Sequence, residues 1–153
     1  MKITQTFRRG AMTFVRGGAP GLCGELLRRA DAHLFAAMEP GDAAERFLRA
    51  YQAALGGAGA VLVTVERPGG RRADRSAWVR LAKAPGFELW AQYFHKISKT
   101  RALAQAGVME APDEEGLHEF VRKVGEFLCG VEDFLRAGAG RPEASARQDR
   151  KSA

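Results

Sequence analysis

The stretch DEEGLHEFVRKVGEFLCGVEDFL, from Asp113 to Leu135, decides the fold class. Leu117, Phe120, Val121, Val124, Phe127, Leu128, Val131, Phe134 and Leu135 recur at intervals of three and four residues, the period of one helix face. Asp113, Glu114 and Glu115 lie in the first turn, where the exposed backbone N–H groups favour negative charge. A helix with so continuous an apolar stripe is stable only when other elements cover it.

Three further long helices are available to do so. The first runs from about Leu22 to Met38, with Leu22, Leu26, Ala30, Leu34 and Ala37 at helical spacing and Pro40-Gly41 as the stop. The second opens at an Asp42 N-cap, with Glu45 three residues on as in a capping box. It carries Phe47, Tyr51, Leu55, Ala58, Leu62 and Val65. Its middle, Leu55-Gly-Gly-Ala-Gly-Ala60, is poor in helix formers, but the apolar phase continues through it. Ser76 caps a short helix with Trp78 and Leu81. Pro85 is read as opening the next long helix at its first position, with Phe87, Trp90, Phe94 and Ile97 on one face and Tyr93 beside them. That helix turns polar at Lys96, Lys99 and Arg101 and ends at Gly107. Short links favour antiparallel neighbours. The expectation is an all-α, up-and-down four-helix bundle over residues 21–137, with one extra short helix before the third long one. A basic, loosely ordered arm (1–20) and a disordered tail (138–153) flank it, and Met1 and Met12 both serve as candidate starts.

The 153 residues suffice for one domain. Arginine outnumbers lysine 18 to 6, which reads as the codon bias of a GC-rich bacterial genome rather than as a nucleic-acid signature. The net charge of +6 is unevenly spread: +5 over residues 1–29, −2 over 30–65, +6 over 66–101, −6 over 110–133 and +3 over 136–153. Acidic and basic segments of this kind pair internally, associate head to tail, or bind a polyanion. Cys23 and Cys129 are far apart and belong to no cluster of zinc spacing, so no metal and no cofactor is expected. Both thiols are read as reduced and buried. No signal-type segment is recognised, and no uninterrupted apolar run reaches the roughly 18 residues of a membrane span, so the expected location is cytoplasmic, with no membrane partner.

The segment Ser76-Ala-Trp78-Val-Arg-Leu81-Ala-Lys-Ala-Pro85-Gly-Phe-Glu-Leu-Trp90-Ala-Gln-Tyr93-Phe94 resembles an actinobacterial family of HEPN domains with a W-x-x-L-A-x-x-x-P-x-x-x-x-W-x-x-F/Y-F pattern. The resemblance covers roughly residues 22–137. It implies a four- or five-helix bundle, commonly a homodimer. Many HEPN proteins are metal-independent ribonucleases with an R-x4–6-H motif at the dimer interface, some in toxin or defence systems. Others lack the motif and bind partners. The branch resembled here has no assigned activity, so the likeness informs fold more than function.

One stretch has the motif spacing, Arg28-Arg-Ala-Asp-Ala-His33. A histidine there would serve as general acid or base on a ribose hydroxyl while arginine holds the phosphate. Arg28 and His33 point about 140° apart on a helix, whereas Arg29 shares a face with His33. The family motif lies late in the domain, but His118 has no arginine at the required distance upstream. Eighteen arginines and three histidines also make an accidental match easy. A second candidate surface is the basic loop Arg67, Arg71, Arg72 and Arg75 with Trp78 and Arg80, placed to meet phosphates and to stack a base. A third is a small-molecule pocket around Trp78, Trp90, Tyr93 and His95. The favoured reading is a degenerate, non-catalytic HEPN-like module, dimeric, binding RNA, DNA or a nucleic-acid-processing protein. The alternatives are a nuclease using Arg28/His33 and a small-molecule binder.

Overall fold

The computed structural model describes residues 21–66, 76–108 and 110–152, with side chains described as far as Gly138. It contains five helices: α1 (Gly21–Met38), α2 (Ala43–Val65), α3 (Ala77–Leu81), α4 (Glu88–Gln105) and α5 (Glu114–Ser152). There is no strand among the described residues.

Contacts between named residues set the topology. Arg46 of α2 meets Ala37 of α1, Gly56 lies against Ala30, and Gly59 faces Leu26. Residue numbers fall along α1 as they rise along α2, so the pair is antiparallel. Phe47 meets Phe120 and Gly57 meets Leu128, which makes α2 and α5 parallel. Phe87 packs on Phe134 and Phe94 on Phe120, so α4 runs against α5. The result is the expected up-down-up-down bundle, with α2 and α5 on one diagonal.

The glycine-rich middle of α2 makes that diagonal short. A β-carbon at Gly57 would stand 2.6 Å from Leu128 Cδ2 and 3.0 Å from Phe127 Cε2, and one at Gly56 would stand 3.1 Å from Ala30 Cβ. The helix forfeits roughly 1 kcal/mol of propensity at each glycine, and in return α1 and α5 approach α2 closely. On the other side, large rings hold α4 off. Phe94, fully buried, touches Trp78, Trp90, Phe120 and Phe127 at centroid distances of 4.8–6.3 Å. α2 lies at the centre of the core. By length and composition it is apolar enough to cross a membrane, with a mean hydropathy of 1.2 over its best window, half of which is buried inside the fold.

The helix ends follow local chemistry. Asp42 accepts from the Glu45 N–H at 3.0 Å and Ser76 from the Val79 N–H at 3.2 Å, as N-cap residues should. The start of α4 differs from the sequence reading. Pro85 does not open it. Gly86 takes φ +86°, a left-handed conformation that interrupts a helix, and α4 begins at Glu88 after a turn that buries Ala84 and Phe87. Gly107, also left-handed at φ +77°, ends α4 as expected. At the C-terminus the backbone of α5 stays helical to Ser152, where the sequence reading places a structureless tail from Gly138. Extending an established helix costs far less than nucleating one, and the helix continues through Gly138, Gly140 and Pro142 against their propensity before the better formers Glu143, Ala144 and Ala146. The N-terminal arm lies outside the described residues.

Candidate functional site

The motif residues of α1 sit on an open face. Glu25, one turn before them, accepts from Arg28 Nη2 at 2.9 Å and pairs with Arg29 Nε at 3.3 Å. The hydrogen bond from Arg28, its charge and that of Arg29 hold the Glu25 carboxyl below its ordinary range. Both arginine side chains remain more than half exposed, while His33 is half-buried. Arg28 and His33 diverge by about 140° around α1. Arg29 shares the histidine's side of the helix, but it leans back toward Glu25. Arg28 and Arg29 both turn toward Glu25, one turn before them.

The aromatic candidates separate. Trp78, read as the ring most available for stacking a base, is instead 3% exposed. Its Nε1–H donates to Tyr51 Oη at 2.8 Å, and its ring stacks on Phe94 at 4.8 Å. The short helix α3 is amphipathic, so Trp78 and Leu81 turn inward together. The sequence places Trp78 beside a basic loop, but the buried hydroxyl that satisfies its N–H comes from Tyr51, 27 residues upstream. Trp90 is half-buried, stacked on Phe94 at 5.8 Å with Tyr93 edge-on at 6.3 Å. Burial, followed by the nearby Glu119 charge, raises the Tyr93 hydroxyl pKa above its ordinary 10.0. His95 is exposed, five residues from Trp90 and so on another side of α4. Trp78, Trp90 and His95 therefore form no shared pocket.

The basic candidates also divide. Arg80 Nε donates to Glu66 Oε2 at 2.9 Å, with both side chains about one-quarter exposed, and this pair ties α3 to the end of α2. Arg67, Arg71, Arg72 and Arg75 lie outside the described residues. Arg101 stands over the Tyr51 ring at 5.0 Å, a cation–π contact. On α5, Arg122 bridges Glu119 and Glu126, which lowers the Glu119 pKa and raises that of Arg122.

The outer face of α4 is different. His95, Lys96 and Lys99 are exposed within about 100° of arc, and none has an ion-pair partner among the described residues. The sequence marks this stretch only as the polar end of a helix. What distinguishes it is the absence of a carboxylate three or four residues away: Gln92, Tyr93, Leu103 and Ala102 occupy the flanking positions. Among the described residues no group of His, Cys, Asp and Glu is arranged to hold a metal ion. Cys23 is half-buried, but Cys129, expected in the core, is exposed. It lies one position past Leu128, about 100° round the helix from the buried stripe.

A family model described as SAV_6107-like HEPN matches residues 36–132. The match takes in the last turn of α1, all of α2 to α4 and the first half of α5, with Trp78, Pro85, Trp90 and Phe94 inside it. Arg28, Arg29 and His33 precede it. No curated protein matches, and neither does any solved structure.

Proposed function

Because the chain belongs to the SAV_6107-like HEPN family, we propose that it is a non-catalytic HEPN module, working as a homodimer that binds a polyanionic partner, with single-stranded nucleic acid the favoured chemistry. One observation carries this reading: Lys96 and Lys99 present unneutralised positive charge on α4 beside the exposed His95, whereas Arg28, Arg29 and Arg122 are closed onto their own carboxylates. Free cations on a rigid helix neutralise phosphates at little ordering cost. Arginines already engaged by carboxylates must first give up those partners. The degenerate reading is supported by the same α1 contacts, since Glu25 occupies the arginines a nuclease would need for phosphate.

Fluorescence anisotropy with a single-stranded RNA oligonucleotide, repeated across salt concentrations, tests this. Affinity should fall steeply with salt, and Lys96→Ala/Lys99→Ala should flatten the log–log slope by about 1.4, from about 0.7 per lost phosphate contact. Binding that ignores salt, or a double variant indistinguishable from the parent, overturns the reading. Light scattering should return the mass of a dimer, and a monomer at micromolar concentration contradicts that part.

A further inference from the structure

The end of the bundle where α1 and α4 finish and α2 and α5 begin carries a shallow, almost wholly apolar groove. Ala44, Phe47 and Leu48 of α2, Ala104 and Gln105 of α4, and Ala111 of the α4–α5 link line it. Leu103 and Val108, adjoining in sequence, are 41% and 72% exposed. Around this apolar face carboxylates outnumber free cations. Asp42 and Glu45 stand at the start of α2, and Glu110, Asp113, Glu114 and Glu115 at the start of α5, all exposed. Of the nearby cations, Arg46 is held by Glu114 and the Ala37 carbonyl, and Arg101 by the Tyr51 ring; Arg49 and Lys99 remain against six carboxylates. An exposed apolar groove with an anionic rim fits a segment that is both apolar and cationic.

The chain contains such a segment. Residues 1–20 include Lys2, Arg8, Arg9 and Arg16 with Ile3, Phe7, Met12, Phe14 and Val15, and no Asp or Glu. The segment joins α1 at Gly21, at the far end of the bundle. The 18 residues of α1 span about 27 Å at 1.5 Å per residue. An extended chain covers that distance in about nine residues at 3.3 Å each. Residues 1–11 then remain to lie on the groove. We propose that they do so within the same chain, with Phe7 on the apolar floor and Lys2, Arg8 and Arg9 against the carboxylate rim. The C-terminal residues 139–152 fit less well, since they carry Glu143 and Asp149 and have no large apolar side chain.

The test uses the full chain with Cys23→Ala, Cys129→Ala and Gly10→Cys, a nitroxide on the new thiol, and amide signals read by NMR. The proposal predicts paramagnetic loss of the signals of residues 44–48 and 103–111. Those signals should return in about 0.5 M salt, where the screening length is only about 4 Å, and in Glu45→Gln/Glu110→Gln. Signal loss confined to residues 21–30, or spread evenly over the surface, overturns it. Loss seen only when nitroxide-bearing chains are mixed with isotope-labelled chains lacking the nitroxide also overturns it, because the contact would then lie between copies.

Discussion

Gly57 offers a sharp test of why α2 contains glycine at all. By helix propensity alone, Gly57→Ala should stabilise the protein by about 1 kcal/mol. The structure opposes this, because the new methyl would stand 2.6 Å from Leu128 Cδ2 and 3.0 Å from Phe127 Cε2, in side chains that are 4% and 0% exposed. Overpacking of this kind costs about 1–3 kcal/mol, so the net expectation is a loss of about 1 kcal/mol, or a fall in Tm of about 4 °C. Gly130→Ala is the matched control. It lies within α5, and a β-carbon there meets nothing within 4 Å, so it should gain about 0.5–1 kcal/mol. Urea unfolding followed by circular dichroism measures both. In a Leu128→Ala background the Gly57 penalty should shrink or reverse, giving a coupling of about 1 kcal/mol in the double-mutant cycle. If Gly57→Ala stabilises as much as Gly130→Ala does, the close approach of α2 and α5 is wrong.

Trp78→Phe should cost about 1–3 kcal/mol, since it keeps a ring in the core but removes the donor to the buried Tyr51 hydroxyl; thermal unfolding checks this, and an unchanged Tm contradicts it. Arg46→Ala should lower stability by about 1–3 kcal/mol by leaving the Ala37 carbonyl unmet. Glu114→Gln, at the 74%-exposed end of the ion pair, should cost less than about 1 kcal/mol. Tyr93 holds its proton more tightly in the folded state, so its contribution to stability is complete below pH 10.0 and is lost as pH rises through the higher folded value. Absorbance at 295 nm in a Tyr51→Phe background, where Tyr93 is the remaining tyrosine, should show ionisation centred above pH 10.0; a midpoint at or below it refutes the burial argument.

The fold was legible because its signals are local. The stripe from Leu117 to Leu135, the Asp42 and Ser76 caps, and the glycine stop at Gly107 each depend on residues within a turn or two of one another. Periodicity also carried α2 correctly through its glycines, although it gave no hint that Gly57 receives Leu128 from 71 residues away. Gly86 is a local signal too, and its left-handed conformation overrides Pro85 as the determinant of where α4 starts. The candidate site was less legible because exposure and ion pairing are settled between elements. Trp78 looks surface-bound beside a run of arginines, yet its indole N–H finds Tyr51 in the core. Arg80 looks free for phosphate, yet it reaches Glu66. Glu25 could have been recognised at the outset, since spacings of three and four to Arg28 and Arg29 are those of helical ion pairs.

The most direct test of the functional account is a cleavage assay on fluorescent single-stranded RNA, with purified protein, EDTA present, and His33→Ala alongside. The account predicts that both proteins leave the RNA intact at the no-protein background rate. Metal-independent cleavage by the parent that disappears in His33→Ala would contradict it and restore Arg28, Arg29 and His33 as a catalytic centre.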